Sequence, residues 1–164
     1  MKLVDENAIY IFCDGSMARD AKSTGGTGHV IKFPYYLEIE QIEEFYGAYE
    51  DSNIERIEWQ GLIEGMESLI KWLKSNEVDL WKISTVIVVT DRFALQDSER
   101  SNPYKIANWR KNKGKNFEGK EIKNWDLINK LDKTRAKLYK LIGKPVKIEY
   151  RPRKQNKEAD KLSK

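Results

Sequence analysis

Hydrophobic and polar positions alternate along the first third of the chain in short runs typical of β-strands. A β-branched and aromatic run at 8–13 leads into Asp-Gly-Ser at 14–16, which predicts a strand that ends in a turn. A glycine-rich stretch precedes a second predicted strand at 29–33, and residues 36–49 predict a long third strand. Because the connections are short, the three strands favour an antiparallel meander.

Helical spacing becomes prominent further along the chain. Apolar residues three and four positions apart predict a helix from about Glu55 to Lys74, and the apolar run at 84–90 predicts a buried central strand. The remaining predicted elements are a helix at 93–109 broken at Asn102-Pro103, a helix from an Asn124 cap to Gly143, a strand at 146–150 and a short helix at 156–164. The order βββαβααβα predicts an α/β fold in which helices cover both faces of a mixed sheet.

Composition limits the class of protein. The 164 residues, of which 40% are hydrophobic and 11% aromatic, predict one domain spanning 1–164 with a substantial core. No apolar run is long enough to span a membrane, and the acidic N-terminal segment does not match a signal peptide. The single Cys13 excludes a disulfide framework and a cysteine metal cluster. We therefore expect a cytoplasmic, intracellular domain with no membrane partner.

Charge is distributed unevenly along the chain. Residues 1–104 carry 10 basic and 19 acidic side chains, whereas residues 105–164 carry 20 basic and 7 acidic ones. A basic surface of this kind favours a polyanionic partner such as nucleic acid, although lysine-rich helices are also ordinary solvated surface.

Four acidic residues occupy positions where they can converge. Asp14 ends the first predicted strand and Asp91 ends the fourth, so both lie at one sheet edge if these strands are parallel neighbours. Glu58, in the first turn of the crossover helix, shares a face with the apolar stripe, and Asp160 lies in the last predicted helix. Singly, each acid is more often a turn residue or a cap. Together they repel one another unless a hard cation such as Mg²⁺ or Mn²⁺ neutralises them.

Glu55 and Glu64 compete with Glu58 for the helical position. Glu55 precedes the settled helix and Glu64 points about 120° away from Glu58. Glu58 is therefore the preferred candidate.

Segments in the right order along nearly the whole chain resemble the type 1 ribonuclease H family. The segments that carry the resemblance are IYIFCDGS (9–16), TGGTGHVI (24–31), RIEWQGLIEGMESL (56–69), VIVVTD (86–91), NWRKNKGKNFEGKEIKNWDLINKLD (108–132) and YRPRKQNKEADKL (150–162). The resemblance implies a five-stranded mixed sheet of three antiparallel and then parallel strands. It also implies hydrolysis of the RNA strand of RNA–DNA hybrids, with 5′-phosphate and 3′-hydroxyl products, by a monomer.

The resemblance also assigns roles to particular residues. Two Mg²⁺ ions, with Mn²⁺ as a substitute, would be held by Asp14, Glu58, Asp91 and Asp160, with Asp14 bridging them. Substrate contacts would come from Gly15, Ser16, Asn53, Asn156 and a basic protrusion containing Trp109, Arg110, Lys111, Lys113 and Lys115. The four cations of the protrusion lie in a stretch without apolar periodicity, so we expect them to project from the body.

The sequence departs from the family pattern at several positions. The loop at 151–155 lacks the histidine found in many members, and Arg92 replaces a small polar residue after the third acid. The asparagine-rich segment before the helical Glu is only partly matched at 52–55. These departures leave open a catalytically decayed module that binds nucleic acid or a protein. A DNA nuclease or transposase-like enzyme is a third alternative, against which Glu58 argues.

Overall fold

The computed structural model describes residues 5–17, 25–49 and 53–157, which form a five-stranded mixed sheet and three α-helices. The strands are β1 (Ile9–Met17), β2 (Gly25–Lys32), β3 (Ile42–Tyr49), β4 (Val86–Thr90) and β5 (Val146–Tyr150), and the helices are α1 (Ile54–Ser75), α2 (Pro103–Lys111) and α3 (Trp125–Ile142). The strand order is β3-β2-β1-β4-β5. β1, β2 and β3 pair antiparallel, whereas β4 pairs parallel with both β1 and β5, so the predicted fold class is confirmed.

β1 is longer than the sequence pattern predicts. The expected turn at 14–16 is wrong, because Asp14 and Ser16 continue the strand opposite Gly28 and Gly26 of β2. Likewise β2 begins at Gly25 rather than at His29. The ladder uses only backbone groups, so glycines that suggest a loop can extend it without side-chain contacts.

The third predicted strand is also wrong in its first half. Residues Tyr35–Leu37 form a 3₁₀ turn, and Glu38 after it adopts the left-handed conformation with φ of 53°. The strand therefore starts only at Ile42. The broken helix at 93–109 is confirmed as a 3₁₀ turn at Phe93–Leu95 followed by α2. Of the last predicted helix, at 156–164, the part beyond Lys157 lies outside the described residues.

The main core lies between the sheet and the helices. α1 crosses β1 and β2 with a buried stripe that includes Leu62, Met66 and Leu69, and α3 packs beside it. The opposite sheet face carries a second apolar cluster around Tyr10 and Phe12. No helix of the described residues is long and apolar enough to cross a membrane.

α1 can approach the sheet closely because it carries a glycine, Gly65, where it faces β1. A Cβ at Gly65 would lie 2.7 Å from Ile11 Cγ2 and 2.9 Å from Cys13 Sγ. We therefore expect Gly65→Ala to reduce the free energy of unfolding by about 1–3 kcal/mol, as overpacked cores do. Urea unfolding measures the loss, with Lys71→Ala on the exposed side of α1 as control. An alanine at Gly65 that stabilises the fold would contradict this tight packing.

Candidate metal centre and substrate surface

Three carboxylates converge at the edge of the sheet where β4 ends. Asp14 lies two residues beyond the last parallel pair of β1 and β4, Asp91 follows β4 directly, and Glu58 lies in the second turn of α1. Each offers a carboxylate oxygen, and these oxygens lie within 4.8 Å of one another. Asp14 and Glu58 are buried, whereas Asp91 is half-buried. The parallel pairing of β1 with β4, predicted from the sequence, thus brings three of the four predicted acids together.

The electrostatics of this acidic triad (Asp14, Glu58 and Asp91) favour a cation. Burial raises the pKa of the Glu58 carboxyl well above its ordinary value, and the charges of Asp14 and Asp91 raise it further. Asp14 Oδ1 accepts a hydrogen bond from the Gly15 amide at 2.9 Å, so the backbone fixes the orientation of this carboxylate. Keeping three such groups ionised in a buried setting requires positive charge nearby.

The donor set fits a hard divalent cation. All three ligand groups of the triad are carboxylates, and none is a cysteine or a histidine. Carboxylates are the groups that Mg²⁺ and Mn²⁺ prefer. Oxygens within 4.8 Å of one another can share one ion or bridge two. Asp160, the fourth predicted ligand, lies outside the described residues.

The positive charge of Arg92 acts on the triad. Its charge acts to lower the pKa of Glu58 and of Glu55, which places the guanidinium near both acids. This location agrees with the expectation that Arg92 sets a cation beside the metal site. Its Nε is buried and makes no hydrogen bond to the described residues.

The two competing glutamates have other partners. Glu55 forms ion pairs with Arg100 and with Lys123. Glu64 accepts a hydrogen bond from the Thr27 hydroxyl, and burial raises its pKa to about 7. Neither belongs to the triad, so the choice of Glu58 from helical geometry agrees with the structure.

Asn156 is a buried link between the last described loop and β1. Its side chain is fully buried and its Nδ2 donates to the Cys13 carbonyl oxygen at 2.6 Å. The sequence suggests a substrate contact for this residue. The structure shows instead a contact that holds the loop next to Asp14, while direct substrate binding stays a prediction.

Three further predicted substrate residues have local structural roles. Gly15 is buried against α1, and a Cβ there would lie 2.6 Å from Ile57 Cγ2. Asn53 caps α1, because its Oδ1 accepts from the Arg56 amide at 3.0 Å. Ser16 is half-buried in β1, one residue beyond Gly15 and therefore close to the triad. None of these contacts tests substrate binding.

The basic protrusion comprises the end of α2 and the loop that follows it. Trp109 packs partly against the core, and the loop closes on Trp125, whose Cδ1 lies 2.5 Å from where a Cβ of Gly114 would be. Arg110 is exposed as expected but does not extend freely, because its guanidinium donates to Asn129 Oδ1 and Asp132 Oδ2 on α3. Lys111, Lys113 and Lys115 are also exposed, and the described residues show no ion pair of their ammonium groups.

Sequence reasoning missed Phe117 at the tip of this loop. Its side chain is 92% exposed, and it lines a shallow depression together with Lys111, Lys113 and Lys115. An apolar residue in the middle of a cation-rich stretch was the available signal. An exposed ring among lysines is suited to contact with a base or sugar.

A family model described as RNase H matches residues 6–164. The chain belongs to the RNase H family. Among curated proteins, no sequence matches it.

Solved RNase H structures share the fold of this RNase H chain at low identity. RNase H1 from the archaeon Halobacterium salinarum is 15% identical with a TM-score of 0.57, covering 95% of this chain and 94% of that one. LC11-RNase H1 in complex with an RNA/DNA hybrid is 21% identical with a TM-score of 0.56, covering 94% and 93%. The foamy viral protease–reverse transcriptase in complex with an RNA/DNA hybrid is 20% identical with a TM-score of 0.65. That match covers 99% of this chain, which spans only 20% of the viral chain.

The triad of this RNase H domain predicts a pH-dependent loss of stability without divalent metal. An acid whose pKa is higher in the folded chain destabilises the fold as pH rises above its unfolded pKa. In EDTA we expect the melting temperature to fall from about pH 5 to pH 8, and Glu58→Gln to flatten this decline and raise the melting temperature by about 2–4 °C per kcal/mol of relieved repulsion. Thermal unfolding followed by circular dichroism measures both. Equal slopes for the wild type and the variant would contradict the buried repulsion.

Proposed function

We propose that this protein is a metal-dependent endoribonuclease that hydrolyses the RNA strand of RNA–DNA hybrids and leaves 5′-phosphate and 3′-hydroxyl ends. The observation that carries the proposal is the triad of carboxylate oxygens within 4.8 Å of one another, in a chain of the RNase H family. Structures of LC11-RNase H1 and of the foamy viral enzyme with RNA/DNA hybrids support the substrate class.

Asp14, Glu58 and Asp91 would hold Mg²⁺, with Mn²⁺ as a substitute, and Asp160 would complete a site for two ions. When bound, such ions lower the pKa of water and stabilise the charge on the leaving 3′-oxygen. Ionised Glu58 is required for this site, and the positive charge of Arg92 favours that ionised form. Arg92 would thus attract a phosphate group of the substrate, whereas the carboxylates would attract the metal ions.

Substrate would be held beside the triad by the remaining predicted contacts. Ser16, two residues after Asp14 in β1, would contact the scissile strand, where the 2′-hydroxyl distinguishes RNA from DNA. The protrusion would bind phosphates through its lysines, and Phe117 would add a contact to a base or sugar. Phosphate contacts give affinity without sequence preference, which suits an enzyme that acts on hybrids of any sequence.

The first test replaces a metal ligand. Asp14→Asn removes one carboxylate while keeping the shape, so cleavage of an end-labelled RNA–DNA hybrid should fall below detection in Mg²⁺ and in Mn²⁺. The variant should fold as well as the wild type or better, because one repelling charge is gone. Cleavage at the wild-type rate by a folded variant would disprove the assignment of the triad.

Substrate class is tested with the same assay on three duplexes. The wild type should cut the RNA–DNA hybrid and leave the two control duplexes, RNA–RNA and DNA–DNA, uncut. Tight binding of the hybrid without any cleavage in either metal would instead favour a catalytically decayed binding module.

The protrusion gives a separate prediction. Replacing Lys111, Lys113 and Lys115 by Ala should raise KM for the hybrid and leave kcat nearly unchanged, because phosphate contacts act on binding. The salt dependence should flatten by about 0.7–0.9 units of log–log slope for each phosphate that the variant no longer binds. Arg110→Ala should behave differently and destabilise the fold, since this guanidinium is bonded to α3. An unchanged KM and salt slope in the lysine variant would show that these residues do not contact substrate.

A further inference from the structure

α3 carries a row of exposed lysines on the face opposite its buried stripe. We name Lys133, Lys137 and Lys140 the lysine ridge. Their spacing of four and three residues places them on one side of the helix, within about 60° of one another, over an axial length of about 10 Å. All three side chains are exposed, whereas Leu131, Leu138 and other apolar residues of α3 face the core.

Charge on this ridge is not compensated within the described part of the chain. The acids of α3 are engaged elsewhere, because Asp126 pairs with Arg56, and Asp132 pairs with Arg110 and Arg135. Among the described residues, the structure contains no ion pair or hydrogen bond made by the ammonium group of Lys133, Lys137 or Lys140. Three neighbouring cations without counter-charges attract a polyanion.

α3 begins near the acidic triad, and the lysine ridge lies further along this helix, with Lys133 seven residues, or about 10 Å, beyond Asp126. The first turn of α3 is tied to Arg56, two residues before Glu58, through Asp126 and Asn124. α3 then runs about 27 Å to Gly143, three residues before β5 begins at the opposite edge of the sheet. A chain that leaves the triad can therefore follow the ridge down the side of the molecule.

Stiffness determines which kind of nucleic acid fits this path. A duplex lying across the triad cannot turn sharply within the length of α3, because its persistence length is about 150 base pairs. A single strand can make this turn. We propose that the lysine ridge binds the backbone of a single-stranded extension of the hybrid substrate. This inference rests on the proposed function for the duplex part but concerns a separate surface.

Binding without cleavage tests the proposal. Fluorescence anisotropy in EDTA compares a blunt RNA–DNA hybrid with the same hybrid carrying a single-stranded DNA extension long enough to span α3. The wild type should bind the extended hybrid at least about threefold more tightly, with a salt slope steeper by about 0.7 units per lysine contact. The variant Lys137→Gln with Lys140→Gln should lose this gain and keep its affinity for the blunt hybrid.

A matched control removes two exposed lysines elsewhere. Lys71→Gln with Lys82→Gln, at the far part of α1 and in the turn after it, should keep the gain from the extension. Equal affinity of the wild type for blunt and extended hybrids, or an equal loss in both double variants, would overturn the proposal. Polyglutamate that displaces the extension as well as single-stranded DNA does would overturn the choice of nucleic acid as the ligand.

The assay separates this inference from the proposed function. A protein that binds the extension through the ridge but cuts no hybrid in Mg²⁺ would contradict the endoribonuclease and leave the ridge standing. A protein that cuts blunt hybrids and gains nothing from the extension would contradict the ridge alone.

Discussion

Repulsion among three carboxylates at the end of β4 is the constraint on which the site depends. Asp14, Glu58 and Asp91 come from three elements that the core holds rigidly together, so none can move away to lower the repulsion. The parallel pairing of β1 with β4 fixes two of them, and the close contact of α1 with β1 at Gly15 and Gly65 fixes the third. The apolar core thus stabilises an arrangement that its own electrostatics oppose, as is common where a fold prepares a metal site.

Acidic and basic side chains are also segregated along the whole sequence. Acidic residues predominate before residue 105, and basic residues predominate after it. Folding brings the two parts together through selected pairs, such as Arg56 with Asp126 and Lys123 with Glu55, rather than by general neutralisation. Cations in the protrusion and on α3 consequently stay exposed at the surface, apart from the acidic triad. Under the proposed function, these cations would attract the polyanionic substrate while the carboxylates hold the metal.

The sequence was sufficient for the fold class and for three acids of the site because these depend on strong local patterns. The apolar strand at 84–90 and the helical stripe around Leu62 leave few alternatives for the topology. Errors arose where long-range pairing overrides local preference, as in the glycine-rich start of β2, which extends β1 through Asp14. The partner of Arg110 could not be predicted either, because Asp132 is brought near it only by packing of α2 on α3.

The hydrogen bond from Asn156 to the Cys13 carbonyl joins residues 143 positions apart. Closing a contact of such high sequence separation is entropically slow, and during synthesis β1 is made long before Asn156. The carboxylates of β1, α1 and β4 can therefore assemble on the nascent chain while the loop next to them is still absent. The last contact beside the triad is thus one that the chain can form only after residue 156 has been made.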